Sequence, residues 1–147
     1  MGNGKKARPM SCVVVGVSEA ETSHIAARRA VQLAEATGAT VHFVTAVEHG
    51  DVSVIEVSSD QYMLDTVESA RVAVERFAQS LGTSAPYTVE AVEGPPAKAL
   101  LSVAERRHAD LIVGGNVRMQ GLGRMLGSVG NDVVHNAPCS VLVVKTV

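Results

Sequence analysis

Two hydrophobic periods alternate along the chain. Ser11–Val17 (SCVVVGV) is a continuous β-branched run, the pattern of a strand buried on both faces. Ala27, Ala30, Val31 and Ala34 then recur at helical spacing, and Gly38 stands where a helix would stop. Thr40–Val47 (TVHFVTAV) reads as a second strand. Ser58 and Gln61 have capping-box spacing, and Met63, Val67, Ala70, Val74, Phe77 and Leu81 form one helical stripe that Gly82 ends. Tyr87–Glu93 is a third strand. Gly94-Pro95-Pro96 turns the chain into a helix faced by Ala97, Leu100, Leu101 and Ala104. Asp110–Val113 (DLIV) runs as a fourth strand into glycine-rich sequence. A short helix from Ser128 to Asn136 leads to a fifth strand, Ser140–Lys145 (SVLVVK).

Strands alternating with helices predict an α/β domain, a parallel sheet covered on both faces with right-handed crossovers. Ligands of such sheets bind beyond the carboxyl ends of the strands, where the strand order reverses. The first and fourth strands are apolar throughout and belong inside the sheet; the fifth, after the last helix, belongs at an edge. Residues 1–9, rich in Gly, Lys and Pro, read as a disordered tail, and residues 10–147 as one domain.

Composition narrows the function classes. Of 147 residues 46% are apolar but only 3% aromatic, so the core is aliphatic. A net charge of -2 gives no electrostatic case for nucleic acid or anionic membrane as a partner. No apolar run approaches a membrane span, and the one at Cys12–Val17 stops at Ser18-Glu19-Ala20-Glu21, too soon for a signal peptide. Cys12 and Cys139 match no metal or redox spacing and are expected as reduced, strand-borne thiols, which points to the cytoplasm. His24, His42, His49, His108 and His135 show no metal-ligand spacing; His42 alternates with strand residues and is expected to pack, the others to lie at the surface. Glu19 and Glu21 suit the first turn of a helix, and Ser18 with Glu21 has capping-box spacing. No Ser/His/Asp or paired-carboxylate constellation assembles, so no enzyme is expected, at most a very slow ATPase.

The candidate chemistry lies after the fourth strand. Gly114, Gly115, Gly121, Gly123, Gly127 and Gly130 crowd between a strand end and a helix start, with Arg118 and Arg124 the only charged side chains. Missing side chains let backbone N–H groups approach phosphate oxygens, and the helix that follows presents its positive end. Glycines used merely for turns in a flexible connection would look the same. Neither the dinucleotide fingerprint nor the P-loop motif is present.

The Val-rich first strand, the turn at Gly94–Pro96, the approach Ala109-Asp110-Leu111-Ile112-Val113-Gly114, the segment Leu126-Gly127-Ser128-Val129 and the close Ala137-Pro138-Cys139-Ser140-Val141-Leu142-Val143-Val144 together resemble the universal stress protein family. The resemblance covers nearly everything from Ser11 to Lys145. It implies a three-layer, Rossmann-like fold of the adenine nucleotide alpha hydrolase kind, with strand order 3-2-1-4-5. It also implies an adenine nucleotide (ATP, with Mg, or AMP or cAMP) held by the loop after the fourth strand. The family's nucleotide-binding branch carries glycine, two residues, glycine, nine residues, then Gly-Ser or Gly-Thr. Counting back from Gly127 and Ser128 puts Gly114 first and Val117 where the second glycine stands. In the other register Gly115-Asn116-Val117-Arg118 is similar to the Gly-Asn-Val-Gly of a mycobacterial branch that binds cyclic AMP. Val17-Ser18 stands where ATP-binding members place Thr-Asp. The resemblance adds Val41 and Val129 to the nucleotide contacts. It pairs the edge strand, Val141, Leu142, Val143 and Val144, with the same strand of a second subunit in a homodimer. Two readings follow: a stress-response module that binds an adenine nucleotide weakly, or a dimeric interaction protein of the same family without nucleotide.

Overall fold

The computed structural model describes residues 8–48, 59–116 and 128–146, with the side chains of residues 59–63 and 128 left out of the description. The elements are β1 (Cys12–Gly16), α1 (Glu21–Thr37), β2 (Thr40–Val47), α2 (Ser59–Ser80), β3 (Tyr87–Glu93), α3 (Pro96–Arg106), β4 (Leu111–Gly115), α4 (Ser128–Asn136) and β5 (Ser140–Val144). All four strand pairings are parallel and the sheet order is β3-β2-β1-β4-β5, as expected.

Alternation along the buried strands builds a core on each face. Val13, Val15, Phe43 and Val113 pack under α1 and α2, against Ala27, Ala30, Ala34, Val74 and Ala78. Their neighbours Val14, Val44 and Ile112 face the other way, against Ala99, Val103 and Ala104 of α3 and Val133 of α4. Alanines on the buried stripe of α1 let that helix approach the sheet closely, and each fully buried valine contributes roughly 1.5–3 kcal/mol. Phe43 supplies the bulk on the α1–α2 side, edge-on to Phe77 and Tyr87. α1 ends at Gly38, whose φ of 78° lets its N–H reach Ala34 O at 2.8 Å. Among the described residues no helix is long and apolar enough to cross a membrane.

Several boundaries differ from the sequence reading. β4 begins at Leu111 and continues through Gly114 and Gly115, which pair with Val143 and Val144. The ladder to β5 overrides the poor strand propensity of glycine. Asp110 stays outside the strand because its carboxylate accepts from the N–H groups of Ser11 and Cys12, at 2.8 and 2.9 Å. Arg8, read as part of a disordered tail, joins the same carboxylate at 2.7 Å. Cys139 precedes β5 rather than lying in it; both cysteines are free, and burial pushes both thiols up, the charge of Asp110 adding to it. The capping box at Ser58 begins outside the described residues.

Ser18 and Glu21 form no capping box. The N-cap of α1 is Ala20, with no side-chain cap. Ser18 lies two residues earlier, where its Oγ accepts from Ala20 N at 3.2 Å, and Glu21 turns outward toward Arg28 at 3.6 Å.

Candidate functional site

At the carboxyl ends of β1, β2, β4 and β5 the sheet opens into a cavity of about 410 Å³. That is the size range of small-ligand pockets, at the place where the strand order reverses. Its inner wall is the α3–α4 face of the sheet, Val44, Ile112 and Val141, closed by Ala99 and Leu100 of α3 and Val133 of α4. Its mouth is ringed by Gly16-Val17-Ser18, Thr45-Ala46, Gly114-Gly115 and Val129-Gly130. Pro96 opens α3 at the rim, and Pro95 at the N-cap gives that helix no side-chain cap. The first turns of α4, at Val129 and Gly130, and of α1, at Thr22 and Ser23, also line the cavity, so positive helix ends border one space.

The described wall is neutral. Among the described lining residues the polar side chains are Ser18, Thr22, Ser23 and Thr45, with no Asp, Glu, Lys or Arg. Such a space suits a flat apolar group inside and an anionic group at the helix ends. Gly114 fits that use, since a Cβ added there would meet nothing within 4 Å and would point into open space. Gly115 is different: its added Cβ would lie 3.3 Å from Thr146 Cγ2 and 3.5 Å from Thr22 O.

The turn after β1 is fixed by its own side chains. Ser18 N donates to Ser23 Oγ at 2.9 Å, and the Ser23 hydroxyl lies 3.0 Å from both Ser18 O and Ala20 O. His24 Nε2 lies 3.1 Å from Ser18 O. The ring of His24 stacks on Phe77, centroids 4.1 Å apart, so His24 is not the surface residue the sequence suggested. His42 does pack: it is 7% exposed, its Nδ1 is 2.6 Å from Thr88 Oγ1, and burial above all lowers its pKa.

Of the residues assigned to a nucleotide from sequence, Val17, Ser18, Gly114, Gly115 and Val129 meet at this cavity. Val41 does not: it pairs with Val13 and Tyr87 at the amino end of β2 and is wholly buried among the α1–α2 core residues. The parallel register sets Gly16 beside Val44, so the carboxyl end of β2, Val44 to Ala46, lines the cavity instead. Asn116 follows the strand end, but its Oδ1 is taken by Thr146 N and Oγ1, at 2.9 and 2.8 Å. Val117, Arg118 and Gly127 lie outside the described residues, and of Ser128 only its place at the start of α4 is described. Sequence reasoning missed Thr45, Ala46, Leu100 and Val133. The rule that ligands sit at carboxyl strand ends pointed to the first two; nothing local marked the others.

Comparison with known proteins agrees with this fold. The model of the universal stress protein family matches residues 10–145. Universal stress protein MJ0531 of Methanocaldococcus jannaschii is 30% identical over 139 residues, 90% of this chain and 81% of that protein. Universal stress protein Rv1636 of Mycobacterium tuberculosis is 32% identical over 142 residues, 91% of this chain and 95% of that protein. Among solved structures, a universal stress protein in complex with cAMP superposes with a TM-score of 0.72 at 28% identity, covering 95% of this chain and all of that one.

Proposed function

The chain belongs to the universal stress protein family, and from that premise we propose that it is a stress-response module whose cavity binds an adenine nucleotide. The observation that carries the reading is the cavity itself, its described wall uncharged, its inner wall apolar and helix N-termini at its rim. The adenine ring would lie against Val44, Ala46, Ile112 and Leu100, where a flat aromatic group displaces water from apolar surface. The phosphate would meet the open side of Gly114 and the start of α4, near Val129 and Gly130. Ser18 and Thr45 offer hydroxyls to the ribose or the base edge.

The cAMP complex of the similar structure, and the lack of charged side chains among the described lining residues, support a ligand of low charge, AMP or cAMP over ATP. The described wall has no carboxylate to ligate Mg²⁺, so an ion arriving with ATP would be held by phosphate and water. No general base stands among the described residues at the mouth, which supports reading the site as a binding site that turns ATP over very slowly at most.

We propose further that β5 pairs with its copy in a homodimer in the cytoplasm. β5 is an edge strand, and Val143 on it is 36% exposed, a pairing hazard unless covered. Neither nucleic acid nor membrane is a partner in this reading. The test of nucleotide binding is direct: protein purified without added nucleotide, then denatured and filtered, should release AMP, cAMP or ATP detectable by mass spectrometry. A chain that releases none, and whose thermal midpoint none of the three raises, would leave the dimeric interaction protein as the reading.

A further inference from the structure

His24 stands one step behind the cavity and joins three elements. Its ring lies flat on Phe77 of α2, centroids 4.1 Å apart and planes 19° from parallel, while its backbone belongs to α1. Phe77 is itself seated edge-on against Phe43 of β2, so the ring rests on a packed support. From that support Nε2 reaches Ser18 O at 3.1 Å. A carbonyl oxygen only accepts, so Nε2 must carry the proton, and Nδ1 is left facing Glu21 Oε1 at 4.0 Å.

Ser18 is the residue this contact serves. It lines the cavity, and its Oγ already accepts from Ala20 N, so the hydroxyl proton is the donor it has for a ligand. A serine hydroxyl is short and neutral, and what it contributes depends on where its backbone is held. The Ser18 N–H is held by Ser23, but the Ser23 hydroxyl lies 3.0 Å from both Ser18 O and Ala20 O and has one proton for the two. His24 is the donor committed to Ser18 O alone.

We propose that His24 is a positioning residue of the cavity: its Nε2–H fixes the Ser18 peptide in the orientation that a nucleotide meets, and its stack on Phe77 ties that peptide to α2. The inference rests on the nucleotide reading of the cavity for its effect on affinity, but not for its effect on the turn. Loss of the donor should weaken cAMP binding roughly three- to tenfold, the effect of one neutral hydrogen bond.

Two substitutions separate the donor from the ring. His24→Phe keeps an aromatic face for Phe77 and removes the donor; His24→Gln keeps an N–H donor and removes the stack. Affinity for cAMP, measured by calorimetry, should follow the donor, so that His24→Phe binds weakest and His24→Gln recovers most of the loss. The thermal midpoint should follow the stack, with His24→Gln the lower of the two. In the parent, nitrogen NMR of the ring should show the proton on Nε2. A His24→Phe variant that binds cAMP as the parent does, or a His24→Gln variant as weak as His24→Phe, would overturn the inference. If the parent binds no nucleotide, the reading of the cavity falls and amide exchange decides this one. Faster exchange at Ser18 and Ala20 in His24→Phe alone upholds it, and unchanged exchange overturns it.

Discussion

Asn116 and Thr146 close the end of the β4–β5 ladder: one carboxamide oxygen accepts from both the N–H and the hydroxyl of Thr146, at 2.9 and 2.8 Å. Asn116 N in turn donates to Val144 O at 3.1 Å. The residue that sequence resemblance assigned to the ligand thus also braces the strand ends beside it. Replacing it by alanine removes an acceptor that two donors share, and should cost about 1–2 kcal/mol in urea unfolding. Asn116→Asp keeps an oxygen in the same place and should cost less. Equal losses in the two variants would show that the oxygen is not what matters.

Asp110 gives stability a dependence on acid. Burial favours its neutral form, but the N–H groups of Ser11 and Cys12, the Ser11 hydroxyl and Arg8 outweigh it and hold the carboxyl below its ordinary value. A carboxyl whose pKa falls on folding stabilises the fold above its unfolded pKa of about 3.9, and loses that contribution as pH drops through the lower folded value. Asp110→Asn should therefore cost about 2 kcal/mol at neutral pH, and the gap to the parent should close at acid pH, below the lowered folded value. Unfolding curves at the two pH values check this; a gap that stays constant would remove the charge from the explanation.

The β5 edge can be tested without harming the sheet. Val144 O accepts from Asn116 N, so the polar groups of Val144 point toward β4 and those of Val143 point outward. Val143→Pro removes an outward donor, the position at which an edge strand tolerates proline. Light scattering should give monomer mass for Val143→Pro and dimer mass for the parent. A parent that is monomeric, or a variant that stays dimeric, would place the interface elsewhere.

Much of this molecule was legible in sequence because the strong signals are local. Val13, Val14 and Val15 mark a strand buried on both faces, and the 17 residues of α1 carry their alanine stripe to a glycine stop. The cavity was less legible, because it forms where distant segments meet. Ser18 was read as a helix cap from its spacing to Glu21, whereas Ser23 and His24 hold it from inside the helix. Val41 was carried over by resemblance, yet the register of β2 against β1 puts Val44 and Ala46 at the level of the cavity. Register and stacking are properties of paired elements, and no single stretch of sequence states them.

Titration of the nucleotide-free chain with cAMP, beside its Gly114→Val variant, tests the central claim most directly. A side chain at Gly114 enters open space, so the variant should fold as the parent does while filling the end of the cavity proposed for the phosphate. The account predicts saturable binding of one cAMP per parent chain, and affinity at least about tenfold weaker in the folded variant. No saturable binding by the parent of cAMP, AMP or ATP, or equal binding by parent and variant, would contradict it.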